Sequence, residues 1–138
     1  MSYNTVVLLL GSNINNPEHN IRMALEKIEN NVGAILKNSE LITSEPVEFV
    51  SSNKFRNIAV QLKTQLSPVL LLKTLKEIEN QMGRTKDSGF FNEYQDRIID
   101  IDIILYNNVR FISRKLTIPH YKNLYEREFA KDLINEIM

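Results

Sequence analysis

One segment in the last third of the chain constrains the fold most strongly, because acidic and large aliphatic residues alternate within it. Residues 96–105 read Asp-Arg-Ile-Ile-Asp-Ile-Asp-Ile-Ile-Leu. Side chains of a β-strand point alternately to opposite faces, so Asp100 and Asp102 should share one face and the isoleucines beside them the other. Burying an isolated charge is costly. The aspartate pair therefore needs a cation, a basic partner or water.

Two interpretations of this pair are open. Carboxylates on a rigid strand are hard oxygen ligands, and Mg²⁺ typically takes one or two of them and completes its shell with phosphate and water. Alternatively, the strand is amphipathic and its acidic face is solvated, as is common in antiparallel sheets.

Composition narrows the class of protein. At 138 residues, with 43% apolar and 25% charged residues, the sequence is typical of one globular domain spanning 1–138. Lys plus Arg and Asp plus Glu both number 17, which argues against a broad nucleic-acid surface. There is no cysteine, and the apolar run at 6–10 is too short for a membrane span. We expect a cytoplasmic protein with neither nucleic-acid nor membrane partners.

The order of predicted elements indicates the fold class. Strand patterns occur at residues 6–10, 34–43 and 55–63, and helices should begin at Asn16-Pro17 and Ser67-Pro68, where a capping residue precedes proline. With the acidic strand, this order predicts an α+β fold: a ferredoxin-like βαββαβ antiparallel sheet with both helices on one face and an added C-terminal hairpin. The other face would be left for a ligand.

Basic residues cluster around the acidic strand in the sequence. They are Arg84, Lys86, Arg97, Arg114, Lys115 and Arg127. Cations beside a carboxylate-held metal suit a polyphosphate, since both neutralise phosphate charge. Taken singly, each of them is expected to be a solvated surface charge. Residues 84–95 lack a regular pattern and have a length at which loops often act as lids.

Several motifs together resemble one enzyme family. They are Gly11-Ser12-Asn13, Phe55-Arg56-Asn57, Gly83-Arg84, residues 97–104 and Leu116-Thr117-Ile118-Pro119-His120-Tyr121. In order and spacing, from about Val6 to Ile137, they are similar to those of the hydroxymethyl-dihydropterin pyrophosphokinases of folate biosynthesis. The resemblance implies transfer of the β and γ phosphates of ATP to the hydroxymethyl group of the pterin, with release of AMP.

The resemblance also implies roles for individual residues. Asp100 and Asp102 would hold two Mg²⁺ ions that bridge ATP and the pterin hydroxyl. The catalytic set would be Arg84, Lys86, Arg97, Asp100 and Asp102. The residues that bind ATP would be Glu79, Lys115, Thr117, His120, Tyr121 and Arg127. The pterin would contact Ser44, Val47, Phe55, Asn57, Asp100 and Phe129, with the two phenylalanines stacking on its ring.

The sequence departs from the family pattern at a few positions, and other functions stay open. Lys86 and Lys115 stand where the family usually has arginine, and Tyr94-Gln95-Asp96 replaces the usual lead-in to Arg97. Lysine supplies charge without the bidentate fork of arginine. The alternatives are a non-catalytic module that binds nucleotide or pterin, and a metal-dependent phosphohydrolase that uses the same aspartates. We expect a monomer or weak homodimer.

Overall fold

The computed structural model describes residues 3–44, 54–83 and 98–138. Its main element is a central antiparallel sheet. The strands are β1 (Asn4–Ser12), β2 (Ile35–Asn38), β3 (Ile42–Ser44), β4 (Phe55–Thr64), β5 (Asp100–Tyr106), β6 (Phe111–Ile112) and β7 (Thr117–Ile118). The helices are α1 (Pro17–Asn31), α2 (Pro68–Gln81) and α3 (Glu128–Ile137), with a π-helical turn at Lys122–Glu126. The strand order is β2-β4-β1-β5, and β3 also pairs with β4.

The first two helices begin where the sequence predicts. The Asn16 side chain accepts a hydrogen bond from the His19 N–H at 3.3 Å, and the Ser67 hydroxyl accepts one from the Leu70 N–H at 3.3 Å. Each cap is followed by proline at the first helical position, where its missing N–H has no cost. Both predicted starts are confirmed.

One face of the sheet packs against α1 and α2 and forms the larger core. Both helices bury apolar residues at intervals of three and four, which places them on one side of each helix. These residues are Ile21, Ala24 and Ile28 of α1, and Leu71, Leu75 and Ile78 of α2. The isoleucines at 99, 101 and 103 enter the same core, so the alternation predicted for β5 holds.

The opposite face is not left open along its whole length, which corrects the sequence-based expectation. The third helix covers part of it and buries Ala130, Leu133, Ile134 and Ile137 against Val7, Leu9, Ala59 and Ile104. These helical residues follow the i, i+3, i+4, i+7 pattern of an amphipathic helix, so burial of apolar surface accounts for its position. Among the described residues, α3 leaves one end of this face of the sheet uncovered, and a ligand on this face would have to bind there.

The strand predicted for residues 34–43 is interrupted and forms β2 and β3 instead. Ser39 lies between them, where its N–H donates to the Ala59 carbonyl at 2.8 Å and its hydroxyl accepts from the Ala59 N–H at 2.9 Å. The Ser39 hydroxyl thus takes the place of a backbone carbonyl as hydrogen-bond acceptor for the Ala59 N–H of β4. The local interruption lets β3 restart in register with the first residues of β4.

The chain turns at Asn107–Asn108 after β5, as predicted. The Asn107 side chain accepts a hydrogen bond from the Thr5 N–H at 2.7 Å, and this ties the turn to β1. Beyond the turn, β6 and β7 pair with each other in a separate two-stranded sheet. This small sheet carries the chain back alongside β5, so that His120 comes to lie near Asp102 in the first half of that strand.

Within the described ranges the longest helix is α1, with 15 residues. None of these helices combines the length and hydropathy that a membrane span requires.

Gly33 follows the end of α1 and lies close to the backbone of β4, so a substitution there tests how closely the chain after α1 approaches the sheet. A Cβ atom at this position would lie 1.8 Å from the Lys63 carbonyl oxygen, so backbone would have to move. Gly33→Ala should lower the free energy of unfolding by about 1–3 kcal/mol or more, as overpacking does. Urea unfolding measures the change.

The matched control is Asn30→Ala, an exposed position of α1, which should change the free energy by less than about 0.5 kcal/mol. Equal stability of the Gly33→Ala protein and the wild type would contradict the close approach.

Candidate active site

The two aspartates of the acidic strand lie where β5 passes the uncovered end of the sheet. Asp100 and Asp102 are both half-buried, on the face opposite to the isoleucines. The pairing register places Asp100 opposite Gly11 of β1, and Gly11 in turn lies opposite Asn57 of β4. Three neighbouring strands therefore bring an aspartate, a glycine and an asparagine into one row.

Asp102 is held by hydrogen bonding from the C-terminal segment. Its Oδ2 accepts from the Asn123 amide at 3.0 Å and lies 3.8 Å from His120 Nε2. The His120 N–H donates to the Ile104 carbonyl at 3.0 Å, which fixes the histidine backbone against β5. His120 Nδ1 accepts from the Asn123 N–H at 3.4 Å. A neutral imidazole with this tautomer carries its proton on Nε2, which faces Asp102.

Burial raises the pKa of the Asp102 carboxyl, and the negative charge of Asp100 raises it further. The attraction of His120 when its imidazole is protonated, the hydrogen bond from Asn123 and the charge of Arg127 act in the opposite direction. The carboxylate form of Asp102 is therefore held against a net electrostatic penalty. A cation bound to the pair would relieve that penalty because it attracts both carboxylates.

A cavity of about 430 Å³ opens beside Asp102. Among the described residues that line it, four are lysines or arginines and one is a carboxylate. The residues are Leu72, Lys76, Ile101, Asp102, Ile103, Arg114, Lys115, Leu116, Thr117, His120, Tyr121 and Lys122. This combination of an apolar wall with an excess of positive charge suits a ligand that joins a flat ring to several phosphates.

The structure brings four of the six predicted ATP-binding residues to this cavity. They are Lys115, Thr117, His120 and Tyr121. Arg127 is not among the described residues that line the cavity. Its Nη1 donates to the side-chain oxygen of Asn123 at 3.0 Å, and Asn123 in turn contacts Asp102.

Glu79 is the sixth residue, and it is buried beneath the cavity rather than lining it. Its Oε2 accepts from the Ile101 N–H at 2.8 Å, and its Oε1 lies 3.7 Å from the Lys76 ammonium. This contact joins α2 to β5 between the two aspartates. The predicted role of Glu79 in ATP binding stays a prediction.

Predicted pterin residues lie around Asn57, at the β4 end of the row that also contains Gly11 and Asp100. Asn57 is buried, and its amide donates to the Ser44 hydroxyl at 2.6 Å. Phe55 begins β4 opposite Ser44, and Phe129 lies in the first turn of α3, where it packs against the smaller core. A Cβ atom on Gly11 would lie 2.9 Å from the Asn57 side-chain oxygen and 3.4 Å from the Phe55 ring. The missing side chain of Gly11 thus keeps space open between these residues.

Some predicted residues lie outside the described ranges. They are Val47, Arg84, Lys86 and Arg97, together with the rest of the predicted lid at 84–95 and the Tyr94-Gln95-Asp96 departure.

Other residues belong to the site but escaped the sequence analysis. Leu72 and Lys76 of α2 line the cavity. They are four residues apart, and this spacing, which places two residues on the same side of a helix, could have indicated that they act together. Asn123 is fully buried. Nothing in its neighbourhood in the sequence indicates a contact with Asp102, because a π-helical turn has no strong sequence pattern.

The two aspartates fit Mg²⁺ in the type and number of donors. In the part of the chain that the structure describes, no group of three or more His, Cys, Asp or Glu side chains is placed to hold a metal ion. Mg²⁺ commonly binds one or two carboxylates and fills its remaining positions with substrate phosphates and water. A two-carboxylate site beside a cation-lined cavity matches that requirement.

Comparison with known proteins agrees with this geometry. A family model described as 7,8-dihydro-6-hydroxymethylpterin-pyrophosphokinase (HPPK) matches residues 7–138. The 2-amino-4-hydroxy-6-hydroxymethyldihydropteridine pyrophosphokinase of Bacillus subtilis is 33% identical over 135 residues, which is 97% of this chain and 78% of that protein. A folate synthesis bifunctional protein of Arabidopsis thaliana is 37% identical over 129 residues, 94% of this chain.

The chain spans 26% of the length of that bifunctional relative. Among solved structures, wild-type HPPK-DHPS of Plasmodium falciparum with pteroate matches 98% of this chain and 39% of its own, with a TM-score of 0.74 and 17% identity. At that identity the likeness concerns the fold. From the family match over nearly the whole chain, and from the bacterial relative covered over most of its length, the chain belongs to the 7,8-dihydro-6-hydroxymethylpterin-pyrophosphokinase family.

Proposed function

We propose that the protein transfers the pyrophosphoryl group of ATP to 6-hydroxymethyl-7,8-dihydropterin in folate biosynthesis. The pterin hydroxyl oxygen forms a bond to the β-phosphorus of ATP, and the bond from that phosphorus to the α–β bridging oxygen breaks. AMP leaves, and the hydroxyl proton passes to solvent. The observation that carries the proposal is the position of Asp102, which lines a cavity surrounded by positive charge in a chain of this family.

The cavity residues would bind the nucleotide. Lys76, Arg114, Lys115 and Lys122 supply positive charge, which lowers the energy of a polyphosphate and of the charge that shifts during transfer. Leu72, Leu116 and the aliphatic residues of β5 supply the apolar wall for the base. Positioning of this kind can account for a large part of a rate enhancement without a covalent intermediate.

The pterin would lie against the row formed by Asn57, Gly11 and Asp100. Asn57 and Ser44 offer hydrogen-bonding groups for the edge of the ring, and Phe55 and Phe129 offer aromatic surface. Support comes from the sheet register, in which Asn57 lies opposite Gly11 and Gly11 opposite Asp100. A pterin bound against Asn57 would therefore have its hydroxymethyl group near the aspartates.

Asp100 and Asp102 would hold Mg²⁺, with two ions expected when ATP is bound. The metal supplies charge neutralisation and a scaffold for the attacking and leaving oxygens. The hydrogen bond that the Asn123 amide donates to Asp102 keeps this carboxylate in place.

Three further aspects stay predictions. We expect the fold to be ferredoxin-like, supported by the antiparallel order β2-β4-β1-β5 with α1 and α2 on one face. We expect residues 1–138 to act as one domain, as a monomer or weak homodimer. We expect the protein to work in the cytoplasm, without nucleic-acid or membrane partners.

The experiment that tests the function is release of AMP from Mg-ATP with and without the pterin. AMP that depends on the pterin supports the transfer. Hydrolysis of ATP in the absence of pterin would indicate a phosphohydrolase instead. Pterin binding with no AMP would indicate a binding module.

Asp102→Ala should abolish pterin-dependent AMP release and leave the fold intact, because the carboxylate that binds the metal is lost. Circular dichroism checks the fold. The control is Asp132→Ala, an exposed aspartate of α3, which should keep full activity. An active, folded Asp102→Ala protein would contradict the metal assignment.

Asn57→Ala should weaken pterin binding, because a polar edge of the ligand would lose its partner. A buried unpaired group costs about 1–3 kcal/mol, which corresponds to about 5- to 150-fold in affinity. Calorimetric titration with the pterin and an ATP analogue that does not react measures the change. Asn30→Ala on the exposed side of α1 makes the same chemical change away from the site and should bind normally.

The raised pKa of Asp102 predicts how stability depends on pH. An exposed aspartate titrates near 3.8, and the Asp102 carboxyl of the folded protein titrates above that value. The folded state therefore binds more protons than the unfolded state between these two pKa values, so this group lowers stability as pH rises through the interval.

Asp102→Asn should consequently raise the free energy of unfolding of the ligand-free protein at neutral pH, because asparagine carries no charge. The gain over wild type should shrink as the pH is lowered through the raised pKa of Asp102, because the wild-type carboxyl then becomes protonated and uncharged as well. Urea unfolding at several pH values gives the comparison, with Asp132→Asn as the exposed control. A gain that does not change with pH would contradict the assignment.

A further inference from the structure

Asn123 lies between two charged groups of the candidate site, the Asp102 carboxylate and the Arg127 guanidinium. Its amide nitrogen donates to Asp102 Oδ2 at 3.0 Å, and its side-chain oxygen accepts from Arg127 Nη1 at 3.0 Å. A carboxylate is an acceptor and a guanidinium is a donor. A side chain with one donor group and one acceptor group therefore fits between them in a single orientation.

The backbone around Asn123 holds it in this orientation. The residue is fully buried and lies in the π-helical turn, which is closed by a hydrogen bond from the Arg127 N–H to the Lys122 carbonyl at 2.9 Å. The Asn123 N–H itself donates to His120 Nδ1 at 3.4 Å. One buried residue thus contacts the aspartate, the histidine and the arginine of the site. Single π-helical turns are often found at functional sites.

We infer that Asn123 is a positioning residue that orients Asp102 for Mg²⁺ and couples it to Arg127. The inference rests on the proposed function. The Asn123 amide donates to Oδ2 of Asp102 and so fixes the direction in which this carboxylate faces. The amide also holds that carboxylate still, so less freedom is lost when the metal binds. Outer partners of this kind commonly change metal affinity by about 10- to 100-fold.

Asn123→Leu tests the inference, since leucine has similar size and makes no hydrogen bond. The measured quantity is the Mg²⁺ concentration that gives half-maximal binding of a non-reacting ATP analogue, followed by calorimetry. We expect it to rise by about tenfold or more, while nucleotide binding without metal and pterin binding without nucleotide stay at wild-type values. Asn135→Leu, an exposed position of α3, is the matched control and should show no shift.

The outcomes separate the inference from the function on which it rests. If the wild type shows no Mg²⁺-dependent nucleotide binding, the proposed function fails and the inference fails with it. If the wild type shows it and the folded Asn123→Leu protein has the same Mg²⁺ midpoint, Asn123 has a purely structural role and the inference alone is wrong.

A second variant covers the case in which Asn123→Leu does not fold. Asn123→Ser keeps a small polar group in the turn but is too short to contact both partners, and it should shift the Mg²⁺ midpoint in the same direction. An unchanged midpoint in the folded Asn123→Ser protein would overturn the inference.

Discussion

The pairing of β1 with its two neighbours is the constraint on which the site depends. Gly11 of β1 lies opposite both Asn57 of β4 and Asp100 of β5, so one register brings a residue that we propose to bind the pterin beside one that we propose to bind the metal. A shift of one residue would turn every side chain of a strand to the other face. It would move both aspartates into the core formed with α1 and α2. The large apolar residues that β1 buries on both faces therefore fix the geometry of a polar site several residues away.

Sequence patterns predicted the features that depend on local geometry. Strand alternation placed Asp100 and Asp102 on one face, and the proline-preceding caps placed the starts of α1 and α2. Side-chain alternation in a strand, and the capping of the first N–H groups of a helix, depend only on residues close together in the chain. Both can therefore be predicted from a single sequence. The interruption at Ser39 escaped prediction because it depends on a hydrogen bond to Ala59, 20 positions further along the chain.

Longer-range packing explains what the sequence did not predict about the site. The spacing of Ala130, Leu133, Ile134 and Ile137 does indicate an amphipathic helix, but an apolar side does not specify the surface that it will cover. Asn123 illustrates the same limit more sharply. Its contact with Asp102 is made from the π-helical turn, and the chain reaches that turn after the β6–β7 pair and the hydrogen bond from the His120 N–H to the Ile104 carbonyl.

The charge distribution explains how one site can suit both a metal and a polyphosphate. Asp100 and Asp102 repel each other, and burial opposes ionisation of Asp102. Around the cavity, lysines and arginines are in excess and repel one another as well. A divalent cation relieves the first repulsion, and phosphate oxygens relieve the second. A metal ion alone would leave the cavity cations unbalanced, and a nucleotide alone would leave the aspartates unbalanced. We therefore expect metal and nucleotide to bind better together than separately.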